Sequence, residues 1–139
     1  MPKESGMAWT TCSVDASDTS VEVLKNDVTS LTISTPRAEQ DVTGLDKSGH
    51  ERLLLLADVS IGLTGVFNDD AGASHAAFGD CATTSVLRTV TLTISGQNLA
   101  TAAPPEMFIM DYSLSRGADG SFTWTVPMLN GDGATVAWA

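Results

Sequence analysis

The stretch Asp41-Val-Thr-Gly-Leu-Asp-Lys-Ser-Gly-His50, running into Glu51-Arg-Leu-Leu-Leu-Leu-Ala-Asp-Val-Ser-Ile-Gly-Leu-Thr-Gly-Val-Phe-Asn-Asp-Asp70, decides the fold. It reads as a polar, glycine-bearing loop that feeds a long strand from Glu51 to Phe67, and the strand stops abruptly at Asn68-Asp-Asp70. Within it, Ala57, Val59, Ile61 and Leu63 alternate with Asp58, Ser60, Gly62 and Thr64. Such a period of two sets apolar side chains on one face and polar ones on the other, which is what a half-buried antiparallel strand requires.

The same period recurs on either side. Leu31 and Ile33 alternate with Ser30, Thr32 and Ser34, and Val90, Leu92 and Ile94 alternate with Thr89, Thr91, Thr93 and Ser95. Phe108, Met110, Tyr112 and Leu114 are expected on one strand face, and Phe122, Trp124, Val126 and Met128 on another. Turn chemistry separates these runs: Arg116-Gly-Ala-Asp-Gly120 reads as a hairpin, and Asn130-Gly-Asp-Gly133 precedes a last strand from Ala134 to Trp138. Pro104-Pro105 cannot lie within a central strand.

One segment breaks the period. Over Ala71–Ala82, Ala73, Ala77 and Cys81 fall on one helical face, with Asp69, Asp70 or Ser74 as candidate caps. A short helix is expected there, with Gly79 weakening it. The sum is a single domain over residues 1–139: an all-β, antiparallel β-sandwich with one short flanking helix and a long inter-strand loop over Pro36–His50.

At 139 residues the chain buries a real core without needing disulfides or metal, and at 42% hydrophobic and 17% charged it is too apolar for a disordered one. Seventeen acidic against seven basic residues give a formal charge of −10, which argues against wrapping or reading nucleic acid. It does not argue against a surface that nucleic acid must slide past. Cys12 and Cys81 lie far apart in sequence and form either a disulfide or two quiet thiols. Met1-Pro-Lys-Glu-Ser-Gly6 lacks the continuous apolar core of a signal peptide, no apolar run is long enough for a membrane helix, and folding in a reducing cytoplasm is expected.

No catalytic constellation emerges. Gly72-Ala-Ser-His-Ala76 fails the G-x-S-x-G pattern, and His50 and His75 sit among ordinary loop and helix residues. Asn68, Asp69, Asp70, His75 and Asp80 are close in sequence, but their spacing matches neither a calcium loop nor a zinc site, and a solvated acidic helix cap is the plainer reading. No glycine-rich phosphate loop follows a strand. Neither an enzymatic activity nor a cofactor or metal is expected. What remains is assembly. Pro36–Gly49 is long and polar for a connection within a compact domain, and the arm Met1–Met7 adds nothing obvious to the core.

Asp41-Val-Thr-Gly44, Gly49-His-Glu-Arg52, the strand Ala57–Val66 ending in Gly65-Val-Phe-Asn-Asp-Asp70, and Ser74-His-Ala-Ala-Phe78 occur in the order and spacing of a known family. On these pieces the chain resembles the siphophage major tail proteins, or tail tube proteins, from about Asp15 onward. The resemblance implies hexameric rings stacked into a tube around a tape measure protein, bounded by tail terminator and distal tail proteins, in a virion tail assembled in the host cytoplasm. DNA would pass through the lumen without specific binding, and no membrane is involved. Arg37, Glu39, Asp41, Asp46, Lys47 and His50 would form the contact loop to the adjacent ring, and Leu31, Ile33, Leu53, Leu55, Val59, Ile61 and Leu63 would belong to the wall strands. If many of the acidic residues face the lumen, they would repel phosphate and keep DNA from adhering; the same charges on the outside would not, and the sequence does not say which of them do. Competing expectations are a head decoration or tail completion protein with a similar sandwich, and a carbohydrate-binding or adhesion module.

Overall fold

The computed structural model describes residues 9–16, 21–99, 106–131, 133 and 138. The arm Met1–Met7, Pro104-Pro105 and most of the expected last strand lie outside the described residues; Trp138 makes an isolated bridge to Leu99. The strands are β1 (Trp9–Asp15), β2 (Val21–Val23), β3 (Val28–Ser34), β4 (Arg37–Asp41), β5 (Arg52–Ala57), β6 (Ser60–Val66), β7 (Arg88–Ile94), β8 (Gln97–Asn98), β9 (Glu106–Ile109), β10 (Ser113–Arg116) and β11 (Phe122–Asn130), with one helix, α1 (Ser74–Phe78), between β6 and β7. The fold is all-β and sandwich-like, as the alternation predicts, and the described strands do not close into a barrel.

Every pairing is antiparallel. One group runs β2-β1-β7, with β8 folded back on β7; the other runs β9-β11-β6-β3, with β10 on β11 beyond β9. The groups join at the start of β7, where Arg88 and Thr89 pair with Met107 and Glu106 of β9. Register explains the core: Ile61 lies opposite both Met128 and Ile33, and Leu63 opposite both Val126 and Leu31. Cys12 and Val14 lie opposite Leu92 and Val90 in the other group. Their inward side chains, with Trp124, Phe78, Leu24 and Met107, make one buried cluster.

Two buried polar groups fasten the connections to this core. Arg88, almost wholly buried, donates from Nη1 to the carbonyls of Ala77 (2.6 Å) and Asp15 (3.1 Å), and from Nη2 to Asp80 Oδ1 (3.1 Å) and Thr84 Oγ1 (3.3 Å). It thereby ties the end of β1, the helix and the segment after it to the start of β7. Asp27, in the turn between β2 and β3, accepts from Asn68 Nδ2 (2.9 Å) and from the backbone N–H of Ser74 (3.0 Å). That last bond supplies the helix start with an acceptor from far along the chain, in place of the expected Asp69 or Asp70.

Three differences from the sequence reading have physical causes. The helix is shorter than Ala71–Ala82, because Gly72 adopts φ +82° and Ala73 is extended, so helical geometry starts only at Ser74. The expected strand Glu51–Phe67 is two strands in separate sheets. Asp58 N–H donates back to Pro36 O (2.8 Å) while Val59 O accepts from Asn130 (3.0 Å), so the chain changes partners there. The single face expected for Phe108, Met110, Tyr112 and Leu114 is broken as well. β9 lies opposite Met128–Asn130 and β10 opposite Phe122–Thr125, with the register displaced by one residue between them. This displacement lies beside Pro127, which has no N–H to give the ladder. Met107 and Ile109 therefore turn inward before it, Tyr112 packs on the core after it, and Phe108 and Met110 are exposed.

Both cysteines are free, Cys12 buried and Cys81 partly so. Burial pushes the Cys12 thiol up to about 12 from an ordinary value of 9.0. The folded state thus favours the neutral thiol, and this contribution is intact below the unfolded pKa and is lost as pH rises through that value toward the folded one. Denaturant titrations of wild type and Cys12→Ala should coincide in slope near neutrality and diverge above pH ~9, wild type losing about 1 kcal/mol more by pH ~10. Replacing Arg88 with Met should cost on the order of 3 kcal/mol in the same assay, because the carbonyls of Ala77 and Asp15 lose their donor.

Candidate functional site: a free-standing β-hairpin

The segment expected to be a loop is largely a hairpin. Arg37–Asp41 forms β4, which pairs with β5 through Glu39 opposite Leu54, Gln40 opposite Leu53 and Asp41 opposite Arg52. Only the connection beyond Asp41 is a turn. Among the described strands β4 and β5 pair with nothing else, and all their residues are exposed. That exposure is why alternation gave no strand signal for β4: neither face meets a core, so polarity has no reason to alternate.

The consequence falls on β5. Leu53, Leu54, Leu55 and Leu56 are 53%, 62%, 40% and 88% exposed. Successive strand residues point to opposite faces, so Leu53, opposite Gln40, and Leu54, opposite Glu39, lie on different faces of the ribbon, and both faces are open. Leu53 and Leu55, expected as wall residues, are therefore on the ribbon, whereas Val59, Ile61 and Leu63 are in the core and Leu31 and Ile33 pack against it. The sequence reading did not single out Leu54 and Leu56; the unbroken run of four leucines in β5 was their available signal. A two-stranded ribbon is marginal in water on its own, and burying a leucine contributes about 1.5–3 kcal/mol.

The expected contact residues are partly drawn together. At the tip, Asp41 Oδ1 accepts from the backbone N–H of Thr43 (3.0 Å) and from its hydroxyl, and Asp41 Oδ2 lies 3.0 Å from His50 Nδ1. Thr43 Oγ1 in turn accepts from Glu51 N–H at 2.8 Å, and Val42 N–H donates to Glu51 O at 2.8 Å. Glu39 faces Arg52 at 3.8 Å, a solvated pair of small energetic weight. Arg37 donates to the carbonyls of Leu55 (3.0 Å) and Leu54 (3.4 Å) of the opposite strand. Asp46 and Lys47 sit in the tip turn, where Lys47 N–H donates to Gly44 O at 3.2 Å. These bonds shape the tip without using the leucines.

Two other surfaces complete the description. The outward face of β3, β6, β11 and β10 carries Ser30, Thr32, Ser34, Ser60, Thr64, Thr123, Thr125, Ser113 and Ser115, and no charged residue at these positions. A recess beside it is lined by Trp9, Thr29, Ser30, Leu31 and Ile94, which offer hydroxyls but no titratable group. Three of the five residues weighed as metal ligands have other side-chain partners: Asn68 is held by Asp27, His75 Nδ1 lies 3.3 Å from the Tyr112 hydroxyl, and Asp80 pairs with Arg88.

No protein-family model matches the chain, and no curated protein matches it. Solved structures do. A chain from the virion of a native gene transfer agent particle superposes with a TM-score of 0.70 at 17% identity, covering 99% of both chains. A chain from the tail of an empty gene transfer agent particle of C6 symmetry gives 0.67 at 15% identity, again over 99% of both. A chain from the six-fold symmetrised baseplate of the anti-feeding prophage gives 0.57 at 8% identity, over 100% of this chain and 97% of that one. At such identities the likeness is one of fold, and it spans nearly the full length of both chains.

Asp41 is held below the usual carboxylate range chiefly by the Thr43 hydroxyl, then by the Thr43 N–H, with His50 adding to this against a small opposing effect of desolvation. A lowered folded pKa means the tip's contribution is present above the unfolded pKa and is lost as pH falls through the folded one. Amide exchange at Thr43 and Glu51 should therefore stay slow through the ordinary carboxylate range and quicken only at lower pH. In Asp41→Ala the Thr43 amide should lose its protection, relative to the intrinsic exchange rate, at every pH.

Proposed function

We propose that the protein is the major subunit of a phage-like tail tube, of the long non-contractile type, in which six copies form a ring and rings stack into a channel. The observation that carries this reading is the leucine-bearing ribbon of β4 and β5, exposed on both faces, on a subunit whose fold runs end to end with chains of particle virions and tails. An apolar hairpin that the subunit itself does not cover favours assembly, because association removes both its leucines and its unpaired strand edges from water. Contacts of hairpin to body are heterologous and propagate as an open filament. In this reading the ribbon, with Arg37, Glu39, Asp41, Asp46, Lys47 and His50 along it and at its tip, reaches the neighbouring ring. The protein is structural rather than enzymatic, takes no cofactor, and acts in the virion tail after assembly in the host cytoplasm. Its partners are further copies of itself, a tape measure protein in the lumen, and terminator and distal tail proteins at the two ends.

The hydroxyl face bears on how DNA would pass. If the sheet of β3, β6, β11 and β10 lines the channel, its wall at the described positions is uncharged. Acidic groups such as Asp69, Asp70 and Asp119 lie in connections between strands, so phosphate repulsion would come from the rims of each ring rather than from the wall.

The baseplate likeness supports a second reading, a component that forms one ring at a tail end and does not propagate. Electron microscopy of the concentrated protein separates the two: hollow tubes with a regular axial repeat support the tube, and isolated rings support the terminal component. Replacing residues 38–55 with a short glycine-serine linker should leave the cooperative unfolding transition of the body in place and abolish tubes. Tubes formed by that variant would overturn the role given to the hairpin.

A further inference from the structure

We infer that Asn130-Gly131 is a self-modification site, a pair that closes to a succinimide with loss of ammonia and that the fold holds shut. It is the one Asn-Gly pair in the chain; Asn26, Asn68 and Asn98 are followed by Asp27, Asp69 and Leu99. Ring closure requires the main-chain nitrogen after the asparagine to reach the side-chain carbon, and glycine, with no Cβ, permits that approach most freely. The Gly131 nitrogen bonds to Asn130 Cγ, and its proton leaves with the side-chain amino group as ammonia. Water then opens the ring, giving its hydroxyl to carbon and its proton to nitrogen. Opening at Cγ leaves aspartate. Opening at the main-chain carbonyl routes the chain through the side chain and leaves isoaspartate, with an added methylene in the backbone.

In the folded subunit both main-chain nitrogens of the pair are engaged. Gly131 N–H donates to Glu106 O and Asn130 N–H to Val59 O, each at 3.0 Å, and Asn130 lies opposite Met107 at the end of the β9–β11 ladder. A nitrogen whose proton is held by a carbonyl attacks poorly, and it cannot swing toward the side chain without giving up that bond. The space around it is also taken. A Cβ on Gly131 would sit 2.5 Å from Leu87 Cδ2 and 2.9 Å from Phe108 Cδ2, so the backbone has little slack to turn. The reaction therefore waits on a local opening that parts Asn130-Gly131 from β9.

The pair also stands beside the root of the ribbon. Val59, whose carbonyl accepts from Asn130, follows directly on Asp58, whose N–H donates to Pro36 O where the ribbon leaves the body. A methylene inserted at position 130 lengthens the strand next to that junction, and its carboxylate places a new charge on a half-buried residue. Conversion thus weakens a fastening of the ribbon without touching the ribbon itself.

Mass spectrometry with peptide mapping tests this on the full chain, kept at mildly alkaline pH in buffer and in denaturant. In denaturant the peptide holding Asn130 should gain the mass of amide-to-acid conversion ahead of those holding the other asparagines. In buffer its conversion should be slower by more than about tenfold, and by the factor that protects the Gly131 amide from hydrogen exchange, because one opening admits both reactions. Equal conversion in buffer and denaturant, or another asparagine reacting first in denaturant, overturns the inference. Chains aged in buffer until part has converted need no refolding, and ion exchange separates the converted fraction by its added charge. In that fraction the Asp58 amide should exchange faster than in unconverted chains; equal exchange overturns the link to the ribbon and leaves the site standing.

Discussion

The structure depends on one buried guanidinium. Arg88 stands where the two strand groups meet, and its four hydrogen bonds reach β1, the helix, the segment after the helix and the carboxylate of Asp80. A lysine at this site could not reproduce that fan of donors, because its ammonium is a point charge without the planar fork. The bonds to main-chain carbonyls matter as much as the ion pair. They satisfy the carbonyls of Ala77 in the helix and Asp15 at the end of β1, whose loss of a donor would cost about 1–3 kcal/mol each. With Asp27 holding the other end of the helix through Ser74, the one non-β element is pinned at both termini by groups distant in sequence.

A body fastened in this way can hold out a segment that is not self-sufficient. The ribbon leaves it where Pro36 O meets Asp58 N–H, directly after β3 and directly before β6, two adjacent strands of the core sheet. Gly65, farther along β6, is held to its type by that same core: a Cβ there would sit 2.6 Å from Trp124 Cζ2 and collide with the Asp27 carbonyl. The indole packs against Gly65 and donates to Val66 O at 2.9 Å, which fixes the end of β6 remote from the ribbon. The division is sharp. Polar groups in the body find partners over long sequence separations, while the leucines of the ribbon stay exposed.

What could be read from residues alone follows the same division. β3, β6, β7 and β11 alternate cleanly because one face of each is buried, and all four stand where the pattern put them. The pattern failed where burial or register was not uniform. It ran Glu51–Phe67 together because apolar residues occupy both the ribbon and the core strand, and only the backbone exchange at Asp58 and Val59 separates them. It misassigned Phe108 and Met110 because one displaced residue beside Pro127 reverses every following side chain, a change invisible to periodicity. The polar pairings of Arg88 and Asp27 depend on tertiary approach, so no local window contains them. Within the ribbon, the charged residues were legible as a surface segment. That Leu53 and Leu55 stand on an exposed ribbon was not legible, because hydrophobicity alone does not distinguish a buried strand from an exposed one.

The proposed assembly sets two forces of different range against each other. The charge of −10 repels like subunits over a distance set by the Debye length, about 8 Å at physiological ionic strength. The leucines of β5 attract only on contact. In that proposed assembly two free subunits would meet the repulsion in full while covering little apolar area, so first encounters would be weak. At the end of an existing polymer an arriving subunit would cover more apolar area against the same order of repulsion. Growth at ends would thereby be favoured over nucleation in solution. The ordered tip of Asp41, Thr43 and His50 adds to this, since a turn already shaped by its own hydrogen bonds loses less conformational entropy on insertion. Raising salt shortens the repulsion without weakening the apolar contact, so ionic strength shifts this balance toward the polymer.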